Sequence, residues 1–136
     1  MKRTEARELL MQLMFQMEVQ KDFSDEATVK YLSMQEEKDP VQFEYIKEVS
    51  EAVRNHKDEI DALIEKFSKG WKLNRIAKID LTVMRLSIAE SYYLGDDKNT
   101  PVGASINEAV RLAKKYGSDD SGKFVNGILG EVSRNR

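Results

Sequence analysis

The apolar side chains of this chain recur at the spacing of an α-helix over almost its whole length. In a helix, residues three or four positions apart share one face, so this pattern predicts amphipathic helices. Only two prolines, Pro40 and Pro101, interrupt the chain, and both lie where a helix would start or stop. No segment shows the two-residue alternation of a β-strand. We therefore predict an all-α fold, a compact single-domain bundle of about seven helices that spans residues 1–136.

Residues that commonly begin or break helices divide this pattern into separate elements. Thr4 precedes the first apolar stripe and is a suitable N-cap for the first helix. A long apolar pattern follows Pro40, and the polar stretch at positions 54–58 predicts that it divides into two helices.

The C-terminal third contains the clearest local helix signals. Ser105 and Glu108 have the spacing of a capping box, which predicts a helix start at Ser105. Gly117 is expected to end that helix in a left-handed conformation. Ser118 or Asp119 would then cap the last helix.

The composition excludes the common classes of catalytic site. There is no cysteine, which rules out thiol nucleophiles, disulfides and cysteine-ligated metals, and the single histidine, His56, has no obvious orienting partner. Neither a phosphate-binding glycine loop nor a nucleophile elbow occurs. We therefore expect a protein that is not an enzyme and uses neither cofactor nor metal. The chain starts without a signal-peptide pattern and has no long apolar run, so we expect a cytoplasmic protein with no membrane partner.

Charge is unevenly distributed although the net charge is only −2. Residues 22–66 carry 13 acidic and 6 basic side chains, whereas residues 98–136 carry 7 basic and 4 acidic ones. The ends of the chain are thus mildly basic and the middle is acidic. A polyanion would be attracted to the ends, although solvated charged faces explain the same distribution.

Three glycines fall within the last predicted helix, where each costs about 1 kcal/mol relative to alanine. Close helix packing is the expected explanation for Gly127 and Gly130. Gly122 lies in the first turn, where free backbone amides favour an anion such as phosphate.

The residues around Gly122 have the chemistry of a site for single-stranded nucleic acid. Lys123 offers a cation to phosphate, and Phe124 offers a face on which a base can stack. Asp120 is able to accept a hydrogen bond from a base edge. Core packing is the more common role of such a phenylalanine, and the residues alone favour it for Phe124. The first helix offers a second basic segment, diluted by two acids, in which the candidate side chains are Lys2, Arg3, Arg7, Gln12 and Phe15.

Several motifs together resemble the NusB family of bacterial transcription antitermination factors. Trp71, Asp80 and the N-terminal Ala6-Arg7-Glu8 match the family pattern, and the resemblance covers essentially the whole chain in order. Its most specific part is the C-terminal series Ile106-Asn107-Glu108-Ala109-Val110, Leu112-Ala113-Lys114-Lys115-Tyr116-Gly117 and Ser121-Gly122-Lys123-Phe124-Val125-Asn126-Gly127-Ile128-Leu129.

The resemblance implies a function and a set of partners. Proteins of this family pair with NusE, a small-subunit ribosomal protein, and the pair binds the boxA element of nascent ribosomal RNA in a complex that helps RNA polymerase read through terminators. By the same resemblance, Asp80 would face NusE. The RNA-binding positions would be Lys2, Arg3, Arg7, Gln12, Phe15, Asp120, Lys123 and Phe124.

This sequence departs from the family pattern in its N-terminal segment. Thr4 and Glu5 interrupt what is usually a tight arginine cluster, and Phe15 stands where many relatives carry tyrosine. Fewer phosphate contacts imply a smaller salt-dependent contribution to affinity. We therefore expect modest RNA affinity for the isolated protein and strong reliance on NusE.

Two other functions fit the same resemblance or the same residues. One is a NusB-like helical domain that assists a ribosomal RNA methyltransferase; we expect no catalytic domain after Val132, and this expectation favours the antitermination function. The other is a protein–protein adaptor without RNA binding. A homodimer is also compatible with the sequence, because amphipathic helices can build either a core or a dimer face.

Overall fold

The computed structural model describes all 136 residues, and its regular structure is entirely helical. The all-α prediction is confirmed, with six α-helices and one 3-10 turn against about seven expected helices. None of the helices is both long and apolar enough to cross a membrane. The elements are α1 (Arg3–Gln20), α2 (Asp25–Ser33), α3 (Pro40–Lys66), the 3-10 turn (Leu73–Arg75), α4 (Lys78–Tyr92), α5 (Val102–Tyr116) and α6 (Ser121–Asn135).

Helix α4 forms the centre of the bundle. Every residue from Asp80 to Ser91 is buried, because α1, α3, α5 and α6 all pack against this helix. A helix enclosed on all sides is expected to carry apolar residues around its whole circumference. The polar residues on α4 therefore need partners inside the protein.

Arg85 on α4 is buried, with 2% of its surface exposed, and satisfies this need with two carboxylates. Its Nε and Nη2 donate to the two carboxylate oxygens of Asp61 on α3, at 2.8 and 2.9 Å. Its Nη1 donates to Oε1 of Glu18 on α1 at 2.6 Å. The buried cation thus joins three helices, and removing one of its partners would leave a charge uncompensated.

One of two predicted helix boundaries is confirmed and the other is wrong in detail. The segment after Pro40, α3, is interrupted at His56, where the backbone angles are non-helical (φ −123°, ψ 20°), so two helical parts meet there at a kink. The polar stretch at 54–58 therefore divides this segment, as predicted. Helix α1 begins at Arg3 with Lys2 as N-cap, so Thr4 lies inside the first turn.

The predicted capping box at Ser105 and Glu108 is also wrong. Helix α5 begins three residues earlier, at Val102. Ser105 is buried, and its hydroxyl donates to Oε2 of Glu90 at 2.6 Å. An unpaired buried carboxylate costs more free energy than an uncapped helix end exposed to water. This difference accounts for a serine that donates to Glu90 in the core and does not cap the helix.

Candidate nucleic-acid interface

The three C-terminal candidate residues lie together at the start of α6. Asp120 and Lys123 are exposed, and Phe124 is half-buried with its ring packed against the core. All three line one surface groove of about 620 Å³, which is also lined by the exposed indole of Trp71 from the turn before α4. The groove thus combines a cation, a carboxylate and aromatic surface.

The start of α6 is fixed by close contacts with the end of α5. The backbone N–H of Ser118 donates to Oγ of Ser121 at 2.9 Å, and Asp120 is the N-cap without a side-chain bond to the helix. The predicted caps at Ser118 and Asp119 are therefore wrong. Gly117 is extended (φ −100°), not left-handed; a Cβ there would lie 2.7 Å from the carbonyl oxygen of Ala113, so only glycine fits.

The surroundings of Gly127 and Gly130 in α6 differ from those predicted. A Cβ at Gly122 would lie 2.9 Å from Cγ of Lys114, so α5 and α6 approach closely there. Nothing lies within 4 Å of a Cβ placed at Gly127, and at Gly130 it would meet only Arg134 on the same helix. Tight helix packing therefore does not explain Gly127 or Gly130. Gly127 instead lines the groove and leaves it open.

The N-terminal candidates Lys2 and Arg3 are exposed at the start of α1. The guanidinium of Arg3 lies over the ring of Tyr45, 3.9 Å from its centroid. The backbone N–H of Lys2 donates to Oε1 of Glu5 at 3.0 Å. Glu5, which interrupts the basic cluster in sequence, thus stabilises the helix start that carries it.

The terminal amino group holds this segment in place as well. The ammonium of Met1 lies 3.3 Å from Oε1 of Glu37 and 3.2 Å from Oδ2 of Asp39. Hydrogen bonds to Asp39 and then Glu37 raise the pKa of this amino group above its ordinary value of 8.0. Lys2 and Arg3 therefore follow an anchored residue.

Arg7, by contrast, is buried, with 7% of its surface exposed. Its Nε lies 3.1 and 3.2 Å from the two carboxylate oxygens of Glu90, and its Nη1 lies 3.7 Å from Glu108. Tyr45 also donates its hydroxyl to Glu90; burial, together with the negative charge of Glu90, raises the pKa of Tyr45 and keeps this phenol protonated. The guanidinium of Arg7 is thus paired with carboxylates inside the protein and is not free at the surface.

Gln12 and Phe15 lie apart from the basic start of α1. With 3.6 residues per turn, position 12 faces the opposite side of the helix from Arg3. Gln12 lines a separate cavity of about 480 Å³ and accepts a hydrogen bond from Tyr31 at 3.3 Å. Phe15 is half-buried. The other polar groups lining the Gln12 cavity are mainly carboxylates, from Glu5, Glu8, Glu36 and Glu37.

Helix α5 connects the N-terminal and C-terminal candidates. Lys115 Nζ and Arg111 Nη1 lie 2.7 and 3.3 Å from Oε1 of Glu8 on α1. The hydrogen bond from Lys115, with a further one from Arg111, lowers the pKa of Glu8 although burial opposes this. Lys114 on the same helix packs against Gly122 of α6. The cations of α5 therefore lie between the two candidate segments.

Asp80 lies in the first turn of α4, beside the start of α6. Only 7% of its surface is exposed, and its Oδ1 has no hydrogen-bond partner. Burial raises the pKa of this carboxyl, and the Ser121 hydroxyl offsets only part of the effect. A buried carboxylate oxygen without a hydrogen-bond partner is unusual and calls for a structural or functional explanation.

Sequence reasoning missed two further sets of residues at this surface. Trp71 and Lys69 join the groove from the turn that follows α3, and Arg111 and Lys115 join α1 to α5. In the sequence, Trp71 was marked only by its match to the family pattern. Its place after Gly70, beyond the end of an apolar pattern, was the signal that would have identified it.

No group of three or more histidine, aspartate or glutamate side chains is arranged to hold a metal ion. The single histidine, His56, stacks on Tyr93 with 4.5 Å between the ring centroids, and its Nδ1 lies 3.8 Å from Glu59. The fold and the groove thus define an all-α protein with a surface groove lined by charged and aromatic side chains.

The chain belongs to the NusB family, whose profile matches residues 4–134. It is 46% identical to the transcription antitermination protein NusB of Acetivibrio thermocellus over 132 residues, which cover 97% of this chain and 88% of the relative. It is 45% identical to that of Alkaliphilus oremlandii, over 96% of this chain and 92% of the relative. This is a family of transcription antitermination factors and not of enzymes, as the sequence predicted.

Solved structures share the fold over the whole chain. NusB from T. maritima superposes with a TM-score of 0.87 at 30% identity, covering 100% of this chain and 93% of that one. A chain from a complex of the antitermination factors NusB and NusE with double-stranded RNA superposes with a TM-score of 0.85 at 26% identity, covering both chains completely.

Proposed function

We propose that this protein is a transcription antitermination factor that binds the boxA element of nascent ribosomal RNA together with NusE, within a complex on RNA polymerase. The observation that carries the proposal is the groove at the start of α6. It brings Asp120, Lys123 and Phe124 together on one surface, although the residues alone favoured a core role for Phe124.

The charges at this groove suit a nucleic acid strand. Lys123 is exposed and takes part in no ion pair, so it is free to meet a phosphate. Asp120, also exposed, is free to accept a hydrogen bond from a base edge. Phe124 presents part of its ring while the rest is fixed by the core. At the other end of the interface, Arg3 is the exposed cation with a defined position.

The protein partner would contact Asp80. Its carboxylate is largely enclosed, has one oxygen, Oδ1, without a hydrogen-bond partner, and lies beside the helix that carries the groove. A cationic or N–H group of NusE would supply the missing hydrogen bond, and RNA and partner would then occupy adjacent surfaces. Related antitermination factors have been crystallised as such a three-component assembly, with double-stranded RNA.

Fluorescence anisotropy with a labelled boxA-like RNA tests the proposal. We expect weak binding by the protein alone, tighter binding when NusE is added, and weaker binding as salt is raised, because phosphate contacts release counterions. A scrambled single strand and a double-stranded boxA-like RNA serve as controls for sequence and strandedness. Absence of salt-dependent RNA binding with and without NusE would contradict the proposal. If the protein then still binds NusE, a protein–protein adaptor without RNA binding would replace the proposed function.

A further inference from the structure

The one tryptophan of the chain stands exposed beside the proposed RNA-binding residues. Trp71 is 55% exposed, which is unusual for a large aromatic side chain without a partner. It lines the same groove as Asp120, Lys123 and Phe124. Burial in the core therefore does not explain its position, and a ligand in the groove would contact it.

A fixed turn presents this side chain. Ser68 is buried, with 2% of its surface exposed, and its hydroxyl donates to the carbonyl oxygen of Trp71 at 2.6 Å. The backbone N–H of Trp71 donates back to the carbonyl of Ser68 at 3.3 Å. Between them, Lys69 and Gly70 have positive φ angles of 54° and 92°. Because both ends of the turn are bonded, little freedom is lost when a ligand stacks on the indole.

The charges around the indole favour a nucleotide. The groove carries the cations Lys69, Lys123 and Arg134 and the carboxylates Asp120 and Glu131. Arg134 is paired with Glu131 at 2.8 Å, whereas Lys69 and Lys123 belong to none of the ion pairs of the protein. Two free ammonium groups and one exposed indole match the phosphates and the base of a single strand.

The floor of the groove is open at Gly127. No atom lies within 4 Å of a Cβ built there, and the residue is exposed in the middle of α6. Glycine is costly at such a position, and no internal contact of the protein requires it. An occupant that approaches the helix backbone closely would account for it.

We propose that Trp71 is a stacking platform for a base of the RNA strand whose phosphates meet Lys69 and Lys123, and that Gly127 leaves room for that base. This inference rests on the proposed RNA-binding function and extends the binding surface from α6 to the turn before α4. The platform takes unstacked bases of a single strand, because in a duplex both faces of a base are covered by its stacked neighbours.

Because Trp71 is the only tryptophan, its intrinsic fluorescence reports directly on the groove. Titration of the full chain with a boxA-like single strand should quench this fluorescence, in parallel with binding measured by anisotropy. Trp71→Ala should raise the Kd about tenfold, as loss of one stacked base does, and Trp71→Phe should recover most of the affinity. The double-stranded form of the same RNA should quench less.

A second variant fills the groove without altering the indole. Gly127→Leu should weaken RNA binding by a similar factor while the protein remains folded, since the site is open and leucine favours a helix. Gly103→Leu is the matched control, because Gly103 is also an exposed glycine within a helix, α5, with nothing near its Cβ, and it does not line the groove. Binding by Gly103→Leu should equal that of the natural chain.

The outcomes separate this inference from the function on which it rests. If RNA binds and Lys123→Glu weakens it, but Trp71→Ala binds normally and the indole is not quenched, the stacking platform is wrong and the proposed function stands. If NusE quenches the indole and RNA does not, the groove is a protein-binding surface and the inference is also wrong. If the natural chain binds no RNA, both proposals fail.

Discussion

The guanidinium of Arg3 lies over the ring of Tyr45 at 3.9 Å from its centroid, and the hydroxyl of the same ring donates to the buried carboxylate of Glu90. One face of the tyrosine therefore positions an exposed cation, while its hydroxyl belongs to the polar core. These two roles are separable by substitution.

We expect Arg3→Ala to change RNA affinity and Tyr45→Phe to change stability. Arg3→Ala should weaken RNA binding and reduce the slope of log K against log salt by about one unit, with little change in stability. Tyr45→Phe keeps the ring under Arg3 but removes a donor to Glu90. Its free energy of unfolding should fall by about 1–2 kcal/mol, with RNA affinity unchanged. Urea unfolding and anisotropy measure the two effects, and an unchanged salt slope for Arg3→Ala would remove Arg3 from the interface.

Lys123→Glu should weaken RNA binding without unfolding the protein. The side chain is exposed and makes no ion pair, so the core does not depend on it. Replacing a phosphate contact by a repulsive charge should raise the Kd by about tenfold or more, which corresponds to roughly 1.4 kcal/mol. Lys30→Glu on α2, also exposed and outside the groove, is the control. Loss of helical circular dichroism by Lys123→Glu would show that Lys123 has a structural role.

Helical periodicity was sufficient to predict the all-α fold, because side chains that share a helix face are local in sequence. The predicted capping box at Ser105 failed for a reason that is not local. The hydroxyl is required by Glu90, a carboxylate 15 positions away, and only the packed structure shows that this carboxylate is buried. Arg7 was assigned to RNA from a motif, and its pairing with the same carboxylate likewise depends on tertiary contacts.

Only part of the candidate groove was predicted, because the rest of it depends on tertiary contacts. The sequence shows Asp120, Lys123 and Phe124 together, since they lie within five positions at one helix start. Trp71 reaches them from a segment about 50 positions earlier in the sequence. No periodicity connects two such segments, and the sequence alone gives no measure of how much of the indole is exposed.

The buried ion pair of Arg7 and Glu90 makes a distinct prediction. Glu90 is fully buried, so Arg7→Met would leave its charge without its cationic partner and should cost about 3–5 kcal/mol of unfolding free energy. Adding Glu90→Gln should recover part of this loss, because the uncompensated charge is then gone. Urea unfolding of both variants measures the difference. If Arg7→Met were as stable as the natural chain and lost only RNA affinity, Arg7 would act as an RNA ligand.

Asp80→Asn should stabilise the free protein and weaken its binding to NusE. Burial raises the pKa of Asp80 above its ordinary value of 3.8, so the folded protein loses stability as the pH rises through that raised pKa. Removing the charge should therefore add up to about 1 kcal/mol of unfolding free energy at pH 7. The gain should disappear in acid, below pH 3.8.

Two measurements check the Asp80 prediction: urea unfolding at several pH values, and a binding titration with NusE. RNA binding by the free protein should not change, because Asp80 does not line the groove. Unchanged affinity for NusE would show that the unpaired carboxylate is not part of the partner interface.

The Glu18–Arg85 pair should control part of the acid stability of the fold. Burial alone would raise the pKa of Glu18, but its hydrogen bonds to Arg85 and Lys21 hold it below its ordinary value of 4.5. A carboxylate with a lowered folded pKa contributes stability above its unfolded pKa, and this contribution is lost as the pH falls through the folded value. The natural chain should therefore lose stability from about pH 4.5 downward.

Glu18→Gln tests this contribution. The variant should be less stable at pH 7 by about 1–3 kcal/mol, because buried Arg85 loses a charged acceptor, and its stability should depend less on pH below 4.5. Glu26→Gln on α2, where the carboxylate is exposed and makes no ion pair, should leave the acid dependence unchanged. Unfolding in urea, followed by circular dichroism across this pH range, measures both variants. An acid dependence of Glu18→Gln equal to that of the natural chain would show that Asp61 alone compensates Arg85.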